Sequence, residues 1–129
     1  MVREITFDGN TVWLDHNEAN ASRRYKMAEV DQDEEYSAYT LLSSADGVHW
    51  STEVPKTGPI SDCSRVFYNP FRKRWVFSIK TNIVYGVGRA RAYWEVTDIF
   101  DANQTAWNTN SPQGPWDGPN EVYIYVEHL

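Results

Sequence analysis

Two stretches of this 129-residue chain place an aspartate at the same distance ahead of a short apolar run. "FDGNTVWLD" covers residues 7–15 and "SDCSRVFYN" covers 61–69, so Asp8 stands four residues before Val12 and Asp62 four before Val66. Glu121 opens a third apolar run, "EVYIYV", residues 121–126. Carboxylates gathered at one site repel, and crowding raises the pKa of at least one of them, as a general acid at neutral pH requires. Three acids that open equivalent strands of repeated units are carried toward a common axis. An aspartate before a strand also makes an ordinary Asx turn with no chemistry, and that reading stands beside the first.

The elements that must position these acids form a repeat. "TVWLD", 11–15, matches "RVFYN", 65–69, at an offset of 54; "RRYKMAEV", 23–30, matches "KRWVFSIK", 73–80, at 50; "SADGVHW", 44–50, matches "DANQTAW", 101–107, at 57. The drifting offset places loops of different length between corresponding strands. Alternating apolar residues predict strands at about 11–15, 24–30, 37–43 and 49–54, then 65–69, 74–80, 89–97 and 105–108, and no segment carries a helical period. Asp46-Gly47 is a strong hairpin signal and Asn103-Gln104 a weaker one. Four strands in about 50 residues describe a propeller blade. The expected organisation is one all-β domain of two antiparallel blade-like repeats, about 8–58 and 62–110, with the C-terminal strand 121–126 opening a third. "SADGVHW" resembles the Asp-box turn of sialidase-type propellers, one residue short of it, and such turns are structural.

Composition agrees. The chain has 15% aromatic residues and four leucines, Leu14, Leu41, Leu42 and Leu129. Val, Ile, Thr and aromatic side chains suit a pleated, half-buried surface. The net charge of −6 argues against non-specific nucleic-acid binding by the whole chain. Residues 65–91 run against that average, holding Arg65, Arg72, Lys73, Arg74, Lys80, Arg89 and Arg91 and no acid. Such a stripe suits phosphate, but its alternation with apolar residues reads first as the solvent face of strands. Arg72, Lys73 and Arg74, after Asn69-Pro70, are expected in an exposed turn.

Cys63 is alone, so no internal disulfide is expected, and a small buried thiol is the reading for it. His16, His49 and His128 lack metal-ligand spacing, "GVGRAR" at 86–91 is a lone G-x-G, and "DQDEE" at 31–35 reads as a solvated loop. No cofactor, metal or membrane partner is expected. No apolar leader or membrane-length run stands in the sequence, which gives a cytoplasmic expectation unless the true start lies upstream.

On these motifs the chain resembles the five-bladed β-propeller glycosidases of the invertase/levanase and arabinanase/xylosidase type. "DGNTVWL", 8–14, resembles their Asp-Pro-Asn-Gly opening, with Gly9 for Pro and Thr11 for Gly. "DCSRVFY", 62–68, resembles the second Arg-Asp-Pro motif without its Arg or Pro, and "NEVYIY", 120–125, matches the third, Glu-containing motif in position. "DCSRVFYNPFRKRWVFSIK" and "GRARAYWEVTDIF" look most similar to bacterial propeller proteins labelled glycosidase-like.

The resemblance implies Asp8 as base or nucleophile, Glu121 as acid, and Asp62 as the residue that holds the sugar and keeps the acid's pKa raised. Two carboxyl groups are the minimum for glycoside hydrolysis. Trp13, Trp94 and Trp116, with Arg65, are the implied sugar-binding side chains. Five blades are needed for such an enzyme, and the sequence writes about two. The expectation is therefore a carbohydrate-binding, weakly active or inactive propeller fragment that self-associates, most simply as a dimer through 2–7 and 121–126. The alternative is a noncatalytic β module acting through self-association or binding of a protein or other ligand.

Overall fold

A computed structural model describes residues 9–32, 36–81, 90–107 and 124–125. It is all-β. The strands are β1 (Thr11–Leu14), β2 (Tyr25–Gln32), β3 (Ser37–Ser44), β4 (Ser51–Val54), β5 (Arg65–Asn69), β6 (Arg74–Thr81), β7 (Ala90–Val96) and β8 (Ile124–Tyr125). A single 3-10 turn, Ala21–Arg23, is the sole helical piece among the described residues. The strands form two antiparallel meanders, β1-β2-β3-β4 and β5-β6-β7-β8.

Each hairpin follows from local chemistry. Asp46 Oδ1 accepts the backbone N–H groups of Val48 and His49, both at 2.8 Å, and Gly47 supplies the left-handed φ of 78° that closes β3 onto β4. The Asp46 carboxyl is held well below its usual range, chiefly by His49, whose Nδ1 lies 2.7 Å from Oδ2. In the β5–β6 turn, Asn69 Oδ1 accepts from the N–H groups of Phe71 and Arg72, an Asx turn, and Lys73 takes the left-handed conformation at φ 53°.

The period-2 alternation read from the sequence decides which face is buried. Ala28, Tyr39 and Leu41 of the first sheet meet Val66, Trp75, Phe77, Ile79 and Val96 of the second in one cluster. Aromatic side chains dominate it: Tyr39 lies 6.2 Å from Phe77, Phe77 5.0 Å from Trp107, and Tyr68 5.2 Å from Trp75, centroid to centroid. The linker between the sheets is bonded into the first. Tyr39 N–H donates to Thr57 Oγ1 at 3.0 Å, Thr57 N–H to the Tyr39 carbonyl at 2.9 Å, and Ile60 N–H to Ser37 at 2.8 Å. Gly58 N–H donates to Thr105 at 2.8 Å, and a Cβ on Gly58 would lie 2.3 Å from the Trp107 carbonyl, so no larger residue fits without movement.

One element departs from the sequence reading. The fourth strand of the second unit was expected at 105–108, with 121–126 opening a third unit. Instead Ile124 and Tyr125 of that segment pair with Arg91 and Ala90, completing the second sheet. Residues 101–107 form a turn in which Thr105 N–H donates to the Asp101 carbonyl at 3.1 Å. Trp107 is drawn inward against Phe77 and Trp94, its indole N–H donating to Pro59 at 2.8 Å. Burying a large indole with its N–H satisfied outweighs a short edge strand. No helix among the described residues is long and apolar enough to cross a membrane.

Candidate functional site

The two sheets meet along β1 and β5, and the starts of these strands touch. Gly9 has φ 113°, and a Cβ there would stand 3.0 Å from the Ser64 carbonyl oxygen and 3.5 Å from Arg65 Nη1. Only glycine gives so close a backbone approach in that conformation. Asn10, next in the chain, accepts the Val30 N–H at 2.6 Å and pins the segment to β2. Gly9 of the first repeated motif and Ser64–Arg65 of the second therefore lie against each other at one end of the sheets, the mouth.

Asp62 stands at this mouth. Its side chain is 68% exposed, it forms an ion pair with Lys80 of β6, and it accepts from Ser61 Oγ at 3.1 Å. These contacts, Lys80 first, hold its carboxyl below the usual range. A carboxylate so held stays ionised, accepts from hydroxyl donors and does not serve as a proton donor near neutrality. Ser64 anchors the turn from below: buried, it donates to the Ser61 carbonyl at 2.7 Å and accepts from the Lys80 N–H at 3.1 Å. Cys63 adopts a left-handed φ of 59° and is half-buried.

The mouth also gathers cations that the sequence reading assigned to a solvent face. Arg91 of β7 reaches across β6, donating through Nη1 to the Ser78 carbonyl at 3.3 Å and Ser78 Oγ at 3.2 Å, and through Nη2 to the Cys63 carbonyl at 3.0 Å. Arg65 Nη1 donates to Ser64 at 3.1 Å. On the facing sheet, the buried Tyr39 hydroxyl donates to the Gly9 carbonyl at 3.4 Å. Burial pushes its pKa well up, and the charges of Arg65 and Arg91 oppose that shift.

The remaining sequence candidates distribute as follows. Asp8, Glu121 and Trp116 lie outside the described residues. Trp13 packs edge-on against Trp75, centroids 6.1 Å apart, and is paired with Lys26 in the β1–β2 register, toward the end of β1 away from Asp62. Trp94 packs on Trp107 at 5.7 Å and spends its indole N–H on the Gln104 carbonyl at 2.8 Å. Of the implied sugar-binding residues that the structure describes, Arg65 alone lies at the mouth, its Nη1 beside Gly9 and the Ser64 carbonyl. Among the described residues no group of three His, Cys, Asp or Glu is arranged to hold a metal ion.

A second concentration of charge lies at the opposite end. Lys26, 4% exposed, contacts Asp15 at 3.1 Å and Glu18 at 2.9 Å, donates to the Arg23 carbonyl at 3.0 Å, and sits 5.3 Å from the Phe100 ring centroid. A cleft beside it is lined by Asp15, His16, Glu18 and Arg24. Lys26 holds the Glu18 carboxyl below its usual range. Both acids are committed to one buried ammonium, so this cleft lacks a carboxylate free to move a proton. Comparison with known protein families, with curated proteins and with solved structures found no match.

Proposed function

We propose that this chain is a pair of propeller-like blades that binds carbohydrate at the mouth where β1 and β5 begin, with hydrolysis weak or absent. The observation that carries the reading is the contact between the two motif openings, Gly9 against Ser64 and Arg65. It supports an axial pocket built from equivalent ends of repeated units. Asp62, ionised and exposed, supplies a fixed acceptor for sugar hydroxyls, and Arg65 supplies donors beside it.

In the family that the motifs resemble, Asp8 and Glu121 are the reacting pair, with carboxyl groups about 5–5.5 Å apart for retention or about 6.5–9.5 Å for inversion.

Calorimetric titration with a panel of mono- and disaccharides, beside turnover of aryl glycosides, tests the proposal. Saturable binding that Asp62→Asn weakens, with little or no turnover, is expected; no saturable binding to any saccharide contradicts it.

A second reading, a module that acts by self-association, draws on a separate observation. Val12 and Leu14 project from one face of β1 and are exposed, Phe67 of β5 is exposed, and Phe71 at the β5–β6 turn is 96% exposed. Large apolar side chains left on the surface become contact surfaces where they form a contiguous patch.

A further inference from the structure

Arg91 is the least balanced charge at the mouth. Its three contacts are all with neutral oxygens, the carbonyls of Ser78 and Cys63 and the Ser78 hydroxyl. Among the described residues it meets no carboxylate. The guanidinium carries more N–H donors than those contacts use, in a rigid planar fork. It is half-buried, so its charge is less screened than that of a surface arginine.

The strand register sharpens the imbalance. Lys80 of β6 and Arg91 of β7 are direct cross-strand partners. Side chains directly opposite in an antiparallel pair share a face, and like charges there are destabilising. Lys80 reaches Asp62, and Arg91 reaches over Ser78 to the neighbouring Cys63 carbonyl. Two cations placed side by side, parted by separate contacts around one turn, describe the wall of an anion site.

We propose that this mouth receives a carboxylate carried on a sugar, a uronic-acid-type saccharide, with Arg91 as the principal donor and Lys80 and Arg65 flanking it. The inference rests on the saccharide reading above and names its substrate class. Arg91 contributes one positive charge without a counter-ion among the described residues, which matches a monoanion. A planar carboxylate fits the two parallel N–H vectors of a guanidinium. Asp62, neutralised by Lys80, is then free to accept from sugar hydroxyls without repelling the acid.

Calorimetric titration of the full chain with glucuronate and galacturonate, their methyl esters, glucose, galactose and acetate, at matched ionic strength, separates the possibilities. The uronates are expected to bind about tenfold or more tighter than the neutral sugars and the esters, the size of a charge-assisted bidentate contact. Arg91→Gln is expected to erase that preference. The esters keep the test independent of whether that variant folds.

Equal binding of acids, esters and neutral sugars overturns the inference and leaves the saccharide reading standing. Acetate binding as tightly as the uronates means an adventitious anion only and overturns the inference, and it overturns the saccharide reading as well where no neutral sugar binds. Absence of binding by every compound also overturns both.

Discussion

Lys26 holds two carboxylates, one of them on the buried Asp15, at the end of the sheets away from the mouth. Removing one partner of a buried ionic cluster leaves an uncompensated charge, whereas replacing the whole cluster is close to neutral. Lys26→Met is therefore expected to destabilise the fold by about 3 kcal/mol in chemical denaturation. The triple variant Lys26→Met, Asp15→Asn, Glu18→Gln should recover most of that loss; a triple no more stable than the single would show that Lys26 acts by packing on Trp75 and Phe100 instead.

The same cluster sets a pH dependence. The Glu18 carboxyl is held below its ordinary 4.5, chiefly by the Lys26 hydrogen bond. A depressed carboxyl contributes stability that is fully present above its unfolded value and is lost as pH falls through its folded value. Glu95 shifts in the same direction, with Arg72 as the main cause. Melting temperature should hold steady down to about pH 4.5 and then fall, and Glu18→Gln should make the fall shallower.

At the scale of elements, the β5–β6 hairpin separates two effects within one cationic run. Glu95, its side chain 8% exposed, accepts from Arg72 Nε at 2.5 Å and Nη2 at 3.0 Å and from the Tyr93 hydroxyl at 2.5 Å. Lys73, next to Arg72, instead carries an unfavourable left-handed backbone. Arg72→Ser is expected to lower the melting temperature. Lys73→Gly is expected to raise stability by about 1 kcal/mol. Equal effects from the two substitutions would contradict this division.

The contrast also shows what the sequence discloses. Strand positions, the Asp46-Gly47 turn and the buried face were legible because period and turn chemistry are local. The expectation that Arg72, Lys73 and Arg74 lie alike in an exposed turn treats one turn as uniform. Arg72 has a partner 23 residues away, a contact that appears only once β6 and β7 are in register.

The same limit hid Arg91 and Lys80 at the mouth. Both alternate with apolar residues as solvent-face cations do, and their meeting depends on a cross-strand register. The repeat aligns Trp107 with Trp50 and so predicts a strand at about 105–108. In the fold Trp107 closes the core between the sheets.

For the whole molecule, two sheets share one aromatic core and leave Val12, Leu14, Phe67 and Phe71 on the surface. Apolar side chains at the outer face of β1 and near the β5–β6 turn are expected to drive self-association, most simply through a two-fold axis. Light scattering should report a dimer that Val12→Lys with Phe71→Ser converts to monomer. A monodisperse monomer of the unmodified chain at high concentration would contradict it.

The central claim is that saccharide binds where β1 and β5 begin. Backbone amide chemical shifts, followed by two-dimensional NMR during titration with uronates and neutral sugars, test it most directly because they locate binding as well as detect it. The expected result is saturable shifts clustered on Gly9, Asp62–Arg65, Lys80 and Arg91. Shifts confined to the cleft beside Asp15, Glu18 and Arg24, or no saturable shifts with any saccharide, would contradict it.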